Sequence, residues 1–349
     1  MNDLSFPGRV PEIRKLGRDD RRLLEMVSWS SSSFATSPTY LETILNDHRW
    51  QIDLWAALID DQPIAVVAAM EPTSPLQVQD PDLDLSGLFE TFSSESRAMY
   101  LGNPIDLSAG VAFDSRLDSQ AGSDFGKALV AAVVSAARSR GVQTAALHIG
   151  ASDLDALAAG FAEEAEQRQL GERFSFEVQE SSLDKHIASQ RSSVRQLMRR
   201  DLRGLEQSGL KARVVAASEV IQESATLVAA VKANHDVLDH PRLAEYRLRR
   251  WAAWNPTDCI AFTVRGADDE LVAVTFGVRR DAQLELYEVG LNPNSDLRHL
   301  GYLEALVYSP LRFAIDNALP SVGLGTGSST PKKLRGAVAE ITWGLLSAS

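Results

Sequence analysis

The sequence predicts a mixed α+β protein of two domains, each built on a mostly antiparallel sheet with one parallel strand-helix-strand crossover. Three observations predict it. At 349 residues the chain is long for one compact core, so two domains of about 150 residues are expected. Its 44% apolar and 23% charged residues suit an ordinary globular protein. The order helix, hairpin, strand, helix, strand also occurs twice, without visible residue identity between the halves. A hairpin joins antiparallel strands, whereas a strand-helix-strand crossover joins parallel ones, and that fixes the mixture.

In the first half, "RDDRRLLEMVSWS" has a helical pattern and "SSSFATSPTY" reads as a polar loop. "DLWAALIDDQPIAVVAAM" gives two strands joined at Asp60-Asp61-Gln62-Pro63. Residues 71–98, rich in Pro, Asp and Ser, read as a surface excursion, and "DLSAGVAF" as a strand. In "SDFGKALVAAVVSAARSRGV", Leu129, Val130, Val133, Val134 and Ala137 recur at helical spacing, and Gly141 is the stop. A strand "TAALHIG" follows, then a helix "SDLDALAAGFAEEAEQRQLG" opened by Ser152 and Asp155 in a capping-box pattern with Asp in place of Glu, then the strand "FSFEVQ". The domains are placed at 1–180 and 181–349.

The second half opens with an arginine-rich helix, "SLDKHIASQRSSVRQLMRRDLRGLEQSGL". Helices "ASEVIQESATLVAAVKANHDVL" and "RLAEYRLRRWAAW" follow, then a hairpin turning at Gly266-Ala267-Asp268-Asp269, and the strand "QLELYEVGLNP". A helix "LGYLEALVYSPLRFAIDNAL", a strand end "SVGLGTG" and a last strand "ITWGLL" complete it.

Several function classes recede on composition. No apolar run approaches the roughly 20 residues of a membrane span, and "MNDLSFPGRVPEIRK" lacks a signal-peptide core, so a cytoplasmic protein without membrane association is expected. The single cysteine, Cys259, lies in the apolar "CIAFTV" and reads as a buried structural thiol. The six histidines show no metal-ligand spacing, and His235 and His240 do not share a helical face, so no metal is expected. The net charge of −12 argues against a wholly nucleic-acid-binding surface but leaves room for a local basic patch.

That patch is residues 181–213, which carry eight basic and three acidic residues, a net charge of plus five against minus seventeen for the rest. Arg191, Arg195, Arg199 and Arg203 follow at successive i, i+4 steps, opposite an apolar stripe of Val194, Leu197, Met198, Leu202 and Leu205. Like charges at that spacing oppose a helix by a few tenths of a kcal/mol per pair, so the ridge calls for a compensating anion, either glutamates of the protein or phosphates. A second cationic cluster ends "GLGTGSSTPKKLRG". Gly323, Gly325 and Gly327 alternate, leaving one side of a strand end bare for close ligand approach, and Lys332, Lys333 and Arg335 follow.

The element order resembles the GNAT acyltransferase fold, and its duplication is similar to the tandem-GNAT, Fem-like acyltransferases, over about residues 10 to 347. The arginine helix, the pair "LELYEVGLNP" and "RHLGYLEALVYSPLRFAIDNAL", and the glycine-then-lysine stretch carry the resemblance. A coenzyme A-dependent member has Gln/Arg-x-x-Gly-x-Gly/Ala at its crossover helix. Ser123-Asp124-Phe125-Gly126-Lys127-Ala128 and Arg298-His299-Leu300-Gly301-Tyr302-Leu303 are degenerate versions. Fem-like enzymes take their acyl group from an aminoacyl-tRNA and need no such loop.

The resemblance implies an aminoacyltransferase moving an aminoacyl group from an aminoacyl-tRNA to a small amine or short peptide, with no cofactor. The alternative is an N-acyltransferase using acyl-coenzyme A. The chain lacks a Gly-x-Ser-x-Gly elbow, so direct attack by the substrate amine is expected. In Fem-like enzymes a lysine after the glycine-rich strand end is catalytic, which points to Lys333 or its neighbour Lys332. Tyr287 and Glu288, on opposite faces of their strand, and Tyr302 are further catalytic candidates. Arg335, Arg298, Gly301, Thr326, Ser328 and the four ridge arginines are candidates for holding the donor and its phosphates. The long coiled-coil hairpin of cell-wall Fem enzymes has no counterpart here.

Overall fold

The computed structural model describes every residue except 1–8, 18, 19, 79, 162, 163, 235, 236, 238, 281 and 349, so His235 lies outside the described residues. The sequence reading divides the chain at 180/181. By internal contacts it forms two units, Met1–Gly171 with Ile341–Ser349, and Glu172–Glu340.

The strands of the first unit are β1 (Glu12–Lys15), β2 (Trp29–Ser30), β3 (Trp50–Ile59), β4 (Gln62–Pro72), β5 (Arg97–Leu101), β6 (Ala112–Asp114), β7 (Val142–Ile149) and the start of β8 (Glu166–Glu177). Its helices are α1 (Pro38–Ile44), α2 (Leu85–Leu88), α3 (Ser119–Arg138) and α4 (Ala151–Phe161). β3 and β4 form the predicted hairpin, but the turn is shorter than expected. Asp60 and Asp61 both adopt positive φ, as a two-residue type I′ turn demands, and Gln62 and Pro63 already belong to β4.

The parallel pair is β5 with β7, joined by α3. β5 comes from the end of the predicted excursion, whereas "DLSAGVAF" supplies β6, which pairs antiparallel with β2 and β4. α3 buries Phe125, Leu129, Val130, Val133, Val134 and Ala137, is capped by Asp118 accepting from the Ala121 N–H, and is followed by Gly141 at φ 67°. Four local expectations fail. Asp20–Met26 is 3₁₀ rather than α, and α1 begins inside the predicted loop, at Pro38. Ser152 sits inside α4, its hydroxyl donating to the Asp153 carboxylate instead of capping. Residues 166–171 are strand, the start of β8, rather than the end of a helix.

The second unit contains α5 (Leu183–Ser189), α6 (Ser192–Ser208), β9 (Lys211–Ala216), α7 (Ile221–Ala233), α8 (Pro241–Trp254), β10 (Cys259–Arg265), β11 (Leu271–Arg280) and β12 (Gln283–Leu291). These are followed by α9 (Arg298–Leu303), α10 (Ser309–Asp316), β13 (Ser321–Gly325), α11 (Ser329–Lys333) and β14 (Val338–Leu346), whose last residues return to the first unit. α9 and α10 are one crossover, interrupted by a π-helical turn at Glu304–Tyr308. Strand order is β8-β13-β12-β11-β10-β9, with β12 and β13 parallel and the other pairs antiparallel. β9, unassigned in the sequence reading, is the edge; its residues are mostly exposed, which hides a strand from any hydrophobic pattern.

Candidate active site

β12 and β13 pair at only three positions, Gln283 with Ser321, Leu284 with Val322 and Glu285 with Gly323, and then part. Just past the last pair, β12 carries an extra residue. Thr275 faces Val289 and Gly277 faces Leu286, so Tyr287 and Glu288 oppose the single Phe276. The bulge overturns the expectation that these two side chains serve opposite faces, since both reach α8. Tyr287 stacks on Trp251 at 5.1 Å between centroids, and Glu288 accepts from Arg247 Nε at 2.6 Å.

Glu288 is buried among cations. Arg247 also binds Asp239 at 2.9 Å, and Lys232 lies 3.4 Å from Glu288. Burial alone would raise the Glu288 pKa, but Arg247 and then Lys232 outweigh it and hold the carboxyl below its usual range. The arrangement makes Glu288 an anchored anion rather than a free base. Its stabilising contribution is present above the ordinary carboxylate pKa and fades as pH falls through the lowered one. Arg247→Met is expected to destabilise the protein by about 3 kcal/mol in urea unfolding, because it removes the cation that Asp239 pairs with and leaves Glu288 only the more distant Lys232.

Across the splay, the three cations after β13 divide their work. Lys332 is 2% exposed, and its ammonium donates to the carbonyls of Leu324 (2.8 Å), Thr326 (2.8 Å) and Gly325 (3.3 Å). No carboxylate pairs with it among the described residues, and burial pushes its pKa down to about 8. Arg335, 4% exposed, donates from Nε to Asp201 at 2.8 Å and from a terminal nitrogen to the Pro331 carbonyl at 3.0 Å. Lys333 is the exposed member, paired with Glu172 at 2.5 Å and lying 5.5 Å from the centroid of the Phe174 ring.

Thr326 contributes its carbonyl to Lys332, and Ser328 precedes α11 at φ 42°. Tyr302, on the crossover, has a buried hydroxyl beside the Ser328 side chain, to which it holds no well-formed hydrogen bond. Its pKa is raised by burial, which Ser328 and Arg335 oppose without reversing, so the hydroxyl stays protonated.

The degenerate glycine loops have packing explanations. A Cβ on Gly301 would lie 2.7 Å from Val272 Cγ1, so the glycine lets α9 sit close on β11. Gly126 faces Phe113 in the same way and lies inside α3 rather than at its start. Arg298 is the first residue of α9, exposed, and donates to the Pro293 carbonyl.

α6 differs from the predicted ridge at its N-terminal end. Arg191 is the N-cap, outside the helix, and Arg195 turns back to donate to the carbonyls of Ala188 and Gln190, joining α5 to α6. Arg199, Arg200 and Arg203 remain exposed, with no ion pair or side-chain hydrogen bond among the described residues. The inner face buries Val194, Met198 and Leu205 together with Asp201. Cys259 is buried, with its pKa pushed up to about 12, as a structural thiol requires.

Sequence reasoning missed Asp201, Glu172, Phe174, Arg247 and Lys232. The only signal for Asp201 was an acidic residue at a position that the apolar stripe of its helix turns inward.

Residues 192–333 match the family described as Acetyltransferase (GNAT) domain. None of the curated proteins matches the chain. Among solved structures, the C-terminal domain (DUF2156) of a putative lysylphosphatidylglycerol synthetase from Agrobacterium fabrum is similar at TM-score 0.58 and 14% identity, covering 95% of this chain and 92% of that one. FemX is similar at TM-score 0.59 and 10% identity, covering 96% of each chain. A tandem GNAT protein from the clavulanic acid biosynthesis pathway is similar at TM-score 0.52 and 11% identity, covering 97% of this chain and 98% of that one. At these identities the likeness shows the fold, that of a tandem GNAT protein.

Proposed function

We propose that this GNAT-fold acyltransferase moves an aminoacyl group from an aminoacyl-tRNA to the amine of a small molecule or short peptide, by direct attack without an acyl-enzyme. The outer face of α6 carries the reading. Arg199, Arg200 and Arg203 stand together and exposed, and no carboxylate of this strongly acidic chain pairs with them among the described residues. The compensating anion that such a ridge calls for is then external, and phosphates suit the guanidinium fork. Lys332, which has no carboxylate partner among the described residues, and the exposed Lys333, whose pair with Glu172 an anion can exchange, support an anionic donor at the splay as well.

In the reaction the amine nitrogen bonds to the ester carbonyl carbon, the bond from that carbon to the ribose oxygen breaks, and one proton passes from nitrogen to the leaving oxygen. Lys333 is the group suited to the developing oxyanion, since its exposed ammonium has only Glu172 to exchange. The buried, protonated Tyr302 hydroxyl, beside the Ser328 side chain, is suited to relay the proton, giving its own to the ribose oxygen and recovering one from the amine.

The test is transfer of radiolabel from charged tRNA to an amine panel by the purified protein, with loss of transfer after ribonuclease treatment. Saturable acetyl-coenzyme A binding with no transfer from charged tRNA overturns the reading in favour of an acyl-coenzyme A enzyme. Arg199→Glu combined with Arg203→Glu is expected to weaken tRNA binding and to lower its salt slope by about two, and an unchanged slope removes α6 from the interface.

A further inference from the structure

Asp201 is the one charged residue on the buried face of α6, 7% exposed. A single carboxylate oxygen accepts two hydrogen bonds, from the Tyr308 hydroxyl at 2.9 Å and from Arg335 Nε at 2.8 Å. Tyr308 closes the π-helical turn of the crossover, and Arg335 lies two residues beyond α11. The same guanidinium holds the Pro331 carbonyl, and the next residue, Lys332, gathers the carbonyls of Leu324, Gly325 and Thr326.

A continuous polar chain therefore runs from α6 through Asp201 and Arg335 to α11, and through Lys332 to the end of β13. Asp201 directly follows Arg199 and Arg200, two of the exposed arginines; Arg199 stands on the opposite face of the same turn and Arg200 on its flank. A helix turn that meets an anion on one side is thus fixed to the lysine loop on the other.

We propose that Asp201 is a positioning residue that transmits the placement of the arginine helix to the Leu324–Arg335 loop, so that a polyanion bound on the outer face of α6 orders the loop presenting Lys333. This inference rests on the donor reading above, but its core is measurable without any donor. The physical basis is that a buried charge pair sharing one acceptor with a tyrosine admits few geometries. Loss of the charge leaves Arg335 buried and unpaired and releases the end of α11. A pair that merely stabilised the unit would, when weakened, loosen the unit as a whole. A positioning pair loosens the loop selectively.

The experiment is amide hydrogen exchange on the full chain, comparing wild type with Asp201→Asn, which keeps an acceptor for Tyr308 but loses the charge facing Arg335. Exchange over residues 324–336 is expected to accelerate at least tenfold, with β10 and β11 unchanged. Unchanged exchange at 324–336, or equal acceleration across β10 and β11, overturns the proposal. Arg335→Gln, which removes the same charge pair from its other side, serves as the second variant should Asp201→Asn not fold, and the same two outcomes decide.

Addition of deacylated tRNA is then expected to slow exchange at 324–336 in the wild type but not in Asp201→Asn, with tRNA affinity changed less than threefold. Persistence of that protection in the variant overturns the coupling. If tRNA fails to bind the wild type, the donor reading is what fails, and the exchange comparison without ligand still decides whether Asp201 holds the loop.

Discussion

Lys333→Ala is expected to lower kcat for acyl transfer by about 10²–10³-fold, the range found when one donor to a developing oxyanion is removed. Folding stability should change by no more than about 0.5 kcal/mol. The separation of the two effects follows from the division among the three cations. Lys332 and Arg335 are buried and committed to carbonyls of the loop and to Asp201, so replacing either disturbs structure before chemistry. Lys333 retains 47% of its side-chain exposure, and an exposed ion pair such as that with Glu172 contributes about 0–1 kcal/mol. An anionic substrate would displace Glu172 at little expense, whereas Lys332 is held by three backbone carbonyls. Kinetics paired with urea unfolding provide the check. Unchanged turnover in Lys333→Ala would move the reacting centre away from this loop.

Much of the fold was legible because it is written in short-range patterns. The buried face of α3, the β3–β4 and β10–β11 hairpins and the crossover after β12 each follow from spacing within a single window. β5 and β9 were not legible for opposite reasons. β5 is five residues long and follows directly on a polar excursion, and β9 is exposed at a sheet edge with no apolar alternation to betray it.

The site was legible only as a list of residue types. The glycine-then-lysine stretch announced cations near a bare strand end, but which of them stays exposed depends on partners far away in sequence: Glu172 is 161 residues from Lys333, and Asp201 is 134 from Arg335. The bulge that turns both Tyr287 and Glu288 toward α8 depends on the register with β11, and no property of "LYEVG" alone encodes it.

Between pH 8 and pH 10.5 the wild type is expected to gain stability and to lose activity relative to Lys332→Met. Burial lowers the Lys332 pKa to about 8 from 10.5, so in that interval the unfolded chain holds a proton that the folded chain has released. Stability therefore rises with pH, by up to about 3 kcal/mol, and the three carbonyl oxygens that favour the ammonium bring the figure down. Below pH 8 both states are protonated and the burial penalty is present in full. The charged groups around Lys332 are Lys333 and Arg335 on its own segment, Glu172 from β8 and Asp201 from α6, and the last two are already paired with the first two. Activity runs the other way because the clasp requires the ammonium. A neutral amine offers two N–H donors and turns a lone pair toward the third carbonyl, which loosens Leu324–Thr326 and the loop that presents Lys333. Methionine is close to lysine in length but carries neither donor nor charge, so the wild-type-minus-variant difference isolates this one titration from every other lysine and tyrosine. A difference curve flat from pH 8 to 10.5 would show that Lys332 keeps its proton throughout, and would leave the loop's hold on β13 independent of pH.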